Sequence, residues 1–235
     1  LSGSVIFARF FFVRGFGSPE DPDGKKHAHF WVMDSLFEEL VQGLVEEGYG
    51  STDGLFEPEL IEGLRQNLLR RLEAGAMHPA GVGKHFTYQR NLQVRGDLIS
   101  WLDEHPTDPF ERRFLERVEA FVAYLNRTCF TALNGWEFHY ARYDTGSFYK
   151  RHLDQFRHDR GRRFSLVTYL NPDWSPEDEG QLLLYLPQRT VELLPEAGQV
   201  VFFRADQVEH EVRPARRPRL SIAGWLLSLQ DPLTT

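Results

Sequence analysis

From Trp136 to Leu227 the chain is cut into short segments rich in β-branched and aromatic residues, and this punctuation constrains its fold more than any other feature. The segments run from Glu137 to Tyr143, Ser165 to Leu170, Gln181 to Leu186, Val191 to Leu194, Gln199 to Phe203 and Leu220 to Leu227. Asp-Thr-Gly, Asn-Pro-Asp, Glu-Asp-Glu-Gly, Pro-Glu-Ala-Gly and a Pro/Arg run separate them. Glycine supplies positive φ and proline presets a turn, so each separator is a chain reversal. Evenly spaced strands with such reversals predict an antiparallel sandwich, jelly roll or barrel.

Upstream, the apolar period is helical. Asp34 or Ser35 is placed to cap a helix carrying Leu36, Phe37, Leu40, Val41, Leu44 and Val45, which Gly48-Tyr-Gly50 would end. Pro58 opens a second helix with Leu60, Ile61, Leu64, Leu68 and Leu69 on one face. A third begins near Asp108-Pro109 and carries Phe114, Leu115, Val118, Phe121, Val122 and Leu125. These stripes are core faces, so the chain reads as one α+β domain with about three packing helices in front of the strands. Met77 to Val94 is a long, weakly periodic connection of the kind that is often functional. Residues 1–30 read as a flexible leader, part of it a candidate vector remnant, and 31–235 as the single domain.

Charge and cysteine content narrow the function. A net charge of -7 disfavours broad capture of nucleic acid, which needs a basic face. Cys129 is the only cysteine, so no intrachain disulfide forms and a cytoplasmic setting is expected. The longest apolar run, Val5 to Val13, is short and broken by Arg9, so no membrane association is expected.

The chemistry centres on His152-Leu-Asp154. It ends a strand-like stretch, where alternation puts residues i and i+2 on one face and lets both side chains reach one ion. His210, between the strand from Gln199 and the one from Leu220, is the best placed third ligand. Two imidazoles and one carboxylate on one side of an octahedron leave open positions, the facial triad of non-haem Fe(II) oxygenases. His-x-Asp alone is a weak signal, and a surface turn is the ordinary reading. It gains weight from Arg219, nine positions after His210, from Tyr169, and from Trp225 on the strand that Arg219 begins. A guanidinium fork pairs with a carboxylate in two parallel bonds, the anchor that a dicarboxylate chelating iron at its other end requires.

His152-Leu-Asp154, Tyr169-Leu-Asn171-Pro-Asp-Trp174, His210-Glu-Val212 and Arg219 together resemble the 2-oxoglutarate/Fe(II)-dependent oxygenases. Within them the chain looks most like prolyl 4-hydroxylases of the oxygen-sensing (HIF) type. Gly180-Gln-Leu-Leu-Leu184, Val201-Phe-Phe203 and Arg95-Gly-Asp97-Leu-Ile-Ser-Trp101 fit the same pattern. The resemblance implies a double-stranded β-helix, or jelly roll, supported by helices. It assigns His152, Asp154 and His210 to Fe(II), Arg219 and the Tyr169 hydroxyl to the distal carboxylate of 2-oxoglutarate, Tyr143 to the neighbourhood of both, and Trp225 to the pocket wall. Arg95, Asp97 and Arg162 become substrate-binding residues, with Asp97 expected to pair with Arg162 when the Met77 to Val94 segment closes. Where the animal enzymes carry a hydroxyl four places after the arginine, this chain has Ala223, so one donor to the carboxylate is lost. The implied substrate is a prolyl residue in a protein, hydroxylated at C4, with elongation factor Tu a candidate because bacterial relatives of the group are associated with it. Ascorbate is the candidate reductant.

Other classes compete. Nucleic-acid demethylases of the superfamily carry a second arginine six positions after the first, where this chain has Trp225. Arg213 and Arg219 share that spacing, but Arg213 follows His210 too closely to be the cosubstrate anchor. A small-molecule hydroxylase and a non-enzymatic jelly-roll binding module stay open at this level. Among the other histidines, His139 reads as a satisfied structural residue, His158 as solvated, and His27, His29, His78, His85 and His105 as leader or loop positions.

Overall fold

A computed structural model describes residues 24–81, 94–155 and 161–229. Three helices precede and flank two antiparallel sheets: α1 (Gly24–Glu47), α2 (Pro58–Glu73) and α3 (Pro109–Cys129). The strands are β1 (Tyr49–Thr52), β2 (His78–Pro79), β3 (Asp97–Trp101), β4 (Gly135–Tyr143), β5 (Tyr149–His152), β6 (Arg162–Tyr169), β7 (Leu182–Tyr185), β8 (Thr190–Leu193), β9 (Val200–Arg204), β10 (Glu209–Val212) and β11 (Arg219–Leu227). The larger sheet has the order β1-β9-β6-β11-β4-β3-β2 and the smaller β5-β10-β7-β8, the jelly-roll arrangement.

Period-two alternation divides the larger sheet between two tasks. On β11, Leu220, Ile222 and Leu226 face the helices, as do Phe138 and Tyr140 on β4 and Val200 and Phe202 on β9. The intervening residues, Ala141 and Tyr143, Tyr169, Val201 and Phe203, pack toward the smaller sheet. A slip of one residue in any of these strands would exchange the helix core for the site.

Helices α2 and α3 start where the sequence signals place them. Pro58 occupies the first turn of α2, and the Asp108 side chain accepts from the Phe110 and Glu111 amides at the start of α3. Helix α1 differs. It begins at Gly24, inside the segment read as leader, so Asp34 and Ser35 are interior and Ser35 Oγ donates to the Val32 carbonyl instead of capping. Residues 25–33 contain neither glycine nor proline, so nothing stops the helix from propagating upstream. Residues 1–23 of that leader, and residues 82–93 of the Met77 to Val94 segment, lie outside the described residues.

Gly48-Tyr-Gly50 ends α1 as expected and then opens β1, which pairs with β9 and puts Gly50 opposite Phe202. A Cβ on Gly50 would fall 2.1 Å from the Leu40 carbonyl oxygen, so this close helix–strand approach admits only glycine. Beneath β4, Glu111 on α3 is buried, accepting two bonds from Arg71 and one from the Tyr140 hydroxyl. No described helix is long and apolar enough to cross a membrane.

Candidate active site

The two histidines meet across paired strands. In the smaller sheet His210 on β10 stands opposite His152 on β5, with ring centroids 4.2 Å apart. Val212 is opposite Tyr149, so four residues of β5 span what three span on β10. This bulge changes the parity of β5 and brings Tyr149 and His152 to the same side, with rings 3.6 Å apart and 15° from parallel. β5 ends at His152, so Asp154 reaches the site from the turn beyond it rather than by strand alternation.

His152, Asp154 and His210 offer ligand atoms that all lie within 4.8 Å of one another. His152 Nε2 is 3.5 Å from Asp154 Oδ1, and His210 Nε2 is 3.4 Å from Oδ2. Each Nδ1 faces a backbone carbonyl, His152 that of Lys150 at 2.7 Å and His210 that of Val208 at 3.1 Å. A neutral ring that donates from Nδ1 to a carbonyl presents a lone pair at Nε2, the tautomer a metal needs. Burial draws His210 down to about 4 against the attraction of Asp154. Burial also opposes ionisation of Asp154, but His210, His152 and the Ser165 hydroxyl outweigh it and hold the carboxyl far below its usual range. Ser165 Oγ donates to Oδ2 at 2.7 Å. Two imidazole nitrogens and a carboxylate converge within reach of one point, and a divalent cation that takes the place of the ring protons fits that donor set.

A second uncompensated charge lies at the closed end of the same cavity. Arg219 is 2% exposed, and its Nε donates to the Gly180 carbonyl at 3.0 Å. Among the described residues it has no carboxylate partner within ion-pair distance. Its guanidinium lies 4.9 Å from the Tyr169 ring and 5.3 Å from the Tyr143 ring. The buried Tyr169 hydroxyl sits against Arg219 but meets no partner in full hydrogen-bond geometry. Burial raises the Tyr169 pKa more than Arg219 lowers it, so the phenol keeps its proton and can donate. A buried cation beside an unused donor calls for an anion, and a carboxylate satisfies both. Ala223 lines the cavity without adding a hydroxyl.

The open end is aromatic. Trp101 is 49% exposed, and its ring lies 4.9 Å from that of His139, which in turn is 5.5 Å from that of Trp225. The Arg162 guanidinium covers Trp225 at 3.3 Å and donates to Glu137 Oε1 at 2.7 Å and to the Asp154 carbonyl at 3.3 Å. Two expectations are corrected here. His139 is not satisfied: its Nδ1 is buried without a partner among the described residues, and burial pulls it down to about 3. Asp97 does not pair with Arg162. It accepts two bonds, at 2.7 and 2.6 Å, from Arg95, two residues before it on the same side of the chain, while Glu137 takes Arg162.

The structure therefore brings Tyr143, Arg95, Arg162, Trp225 and Arg219 to the cavity that the candidate metal ligands line. Tyr169 stands behind Arg219, and Asp97 behind Arg95. Ser165, Tyr149, Glu137 and the role of His139 were missed. Ser165 shares strand parity with Tyr169 and was legible on that ground; Tyr149 was not, because the bulge hides its parity. Of the other histidines, His85 and His158 lie outside the described residues.

Residues 138–227 match the family model described as the 2OG-Fe(II) oxygenase superfamily. The rat protein Egl nine homolog 1 is 33% identical over 90 residues, covering 37% of this chain and 26% of the relative, so the match spans about a quarter of that protein. A Xenopus laevis prolyl 3-hydroxylase, OGFOD1, is 38% identical over 85 residues, 31% of this chain and 17% of its own. A crystal structure of a Pseudomonas putida prolyl-4-hydroxylase superposes with a TM-score of 0.75 at 33% identity, covering 83% of this chain and 100% of that one. A Trichoplax adhaerens prolyl hydroxylase in complex with a hypoxia-inducible-factor peptide shares the fold, with a TM-score of 0.77 at 24% identity over 86% of this chain and 93% of that one.

Proposed function

Because this chain belongs to the 2OG-Fe(II) oxygenase superfamily, dioxygenases that use Fe(II) and 2-oxoglutarate, we propose that it hydroxylates a prolyl residue in a protein substrate. The observation that carries this reading is that one cavity is lined by a buried guanidinium with no carboxylate partner among the described residues, a converging ligand triad and aromatic side chains of which Trp101 is exposed. His152, Asp154 and His210 would hold the iron. Arg219 and the Tyr169 hydroxyl would hold the far carboxylate of 2-oxoglutarate. When bound, the pair supplies an oxidation in which one oxygen atom of O2 enters a substrate C–H bond and the other enters succinate as carbon dioxide leaves.

The chain's own residues do the rest. Each Nδ1 contact to a backbone carbonyl sets the tautomer of a ligand ring, and Ser165 holds the carboxylate. Tyr143 and Tyr169 shield the Arg219 charge from water, which strengthens its hold on an anion. Trp101, which reaches the surface where a chain can enter, offers a flat face to an aliphatic ring such as that of proline, and His139 and Trp225 line the cavity beside it. Attack at C4 is favoured over C3 because the Pseudomonas putida prolyl-4-hydroxylase aligns over most of this chain, the Xenopus prolyl 3-hydroxylase over about a third. Elongation factor Tu is the first protein to try, and the single cysteine, Cys129, suits a cytoplasmic setting.

The test is to incubate the chain with Fe(II), 2-oxoglutarate, ascorbate and either elongation factor Tu or host proteins, then follow succinate and map modified residues by mass spectrometry. One added oxygen on a defined proline, absent with His210→Ala, is expected; hydrolysis and amino-acid analysis then separate 4- from 3-hydroxyproline. Succinate formed without any modified proline would refute the substrate class.

A further inference from the structure

We propose that Tyr149, clamped by Arg95 and Asp97, is a positioning residue that sets the plane of the metal ligand His152. The inference rests on reading His152 as a ligand, and it goes beyond any contact these residues make with substrate.

The argument is a column of four side chains. At its base Asp97 on β3 has a side chain that is 0% exposed, and it receives Arg95 through both carboxylate oxygens at 2.7 and 2.6 Å. A bidentate pair of this kind fixes the guanidinium in position and plane. The Arg95 guanidinium carbon lies 4.2 Å from the centroid of the Tyr149 ring. On its other side, the same ring stacks on His152 at 3.6 Å and 15°. The backbone holds the column in register: Arg95 bridges Tyr149, Lys150 N donates to the Val94 carbonyl at 2.9 Å, and Gly96 N donates to the Phe148 carbonyl at 3.1 Å.

Hydrogen bonding alone does not determine the His152 plane. The Nδ1 contact to the Lys150 carbonyl at 2.7 Å fixes one atom of the ring but leaves rotation about that direction open. His210 differs: it is buried, and the Phe203 ring packs on it at 4.8 Å. His152 lies near the cavity and is only partly buried, so a flat partner in near-parallel contact is what limits its tilt. A metal-bound imidazole is electron-poor. The electron-rich Tyr149 face would then lie between two cationic neighbours, and both contacts strengthen on loading. What matters in this geometry is the ring, not the phenol hydroxyl.

The test uses the full chain and Co(II) alone as a visible-absorbing probe, so it does not depend on turnover or substrate. Tyr149→Leu should weaken Co(II) binding by about 10- to 100-fold, the range typical for loss of a ligand's orienting partner, and should alter the bound ion's absorption bands. Tyr149→Phe keeps the ring and should restore both. Arg95→Met keeps the ring but releases the clamp, and should weaken binding by about 10-fold when measured well below its thermal transition, which falls because Asp97 is left buried without Arg95. It also carries the test if Tyr149→Leu does not fold. Wild-type affinity in the Leu and Met variants, or equal loss in Phe and Leu, overturns the inference. Failure of the wild-type chain to bind Co(II) would instead refute the reading of the triad as a metal site.

Discussion

Replacing His139 with leucine should flatten the acid side of this protein's stability curve. The imidazole is buried against Trp101 and Trp225, its Nδ1 has no partner among the described residues, and burial holds its pKa at about 3. In the unfolded chain a histidine titrates near 6.5. Because the folded pKa is depressed, protons bind the unfolded state preferentially. The stability associated with a neutral His139 is therefore complete above about pH 6.5 and is lost as pH falls toward 3. A shift from about 6.5 to about 3 corresponds to a ceiling of roughly 5 kcal/mol, of which about 2 kcal/mol is lost between pH 7 and pH 5. Urea unfolding followed by tryptophan fluorescence, at equal metal loading, measures this as a difference between wild type and His139→Leu. Other titrating groups, His210 and Asp154 among them, cancel in that difference, and the packing change adds an offset independent of pH. Wild type should lose about 2 kcal/mol more than the variant over that interval. Parallel curves would mean that His139 finds a partner or solvent when protonated, and the account of a neutral ring in the cavity wall would fail.

Three further outcomes test the site and its scaffold. Arg219→Met should raise the 2-oxoglutarate concentration for half-maximal succinate formation by about 10- to 100-fold, as expected for losing charge-assisted hydrogen bonds, while Co(II) binding persists; an unchanged requirement would place the anchor elsewhere. Ser165→Ala removes the donor to Asp154 Oδ2 and should weaken Co(II) binding by about 10-fold, with little change in melting temperature. Gly224→Ala would put a Cβ 2.3 Å from the Glu137 carbonyl oxygen and 2.2 Å from the Phe138 ring, so β4 and β11 must separate. A loss of about 1–3 kcal/mol in unfolding free energy is expected, and wild-type stability would show that the sheet yields more easily than its backbone contact suggests.

Much of the scaffold was written locally. Pro58, Asp108 and the Asn-Pro-Asp turn act within a few residues of themselves, and strand and helix periods are local properties as well, so α2, α3 and the strands after Trp136 could be read directly. Among the latter β10 is the exception, and the short strands β1, β2 and β3 upstream could not be read either, because each is too brief to show a period and exists by pairing with a distant partner, as β1 does with β9. Helix α1 was mis-started for the opposite reason: a polar residue suited to a cap does not end a helix whose upstream neighbours also tolerate one.

By itself the sequence named His152, Asp154 and His210 as a candidate metal set from spacing and side-chain character, and its family resemblance added Arg219 and Tyr169 as the candidate cosubstrate anchor. Only the tertiary structure decided what each one faces. Asp97 takes Arg95 because the two lie on one side of a strand end, and Arg162 takes Glu137 two strands away across β11. A bulge that leaves no mark in the sequence turns Tyr149 onto His152. Residue identity is local, whereas partnership depends on register between segments far apart in the chain, and register is set by packing of the whole sheet.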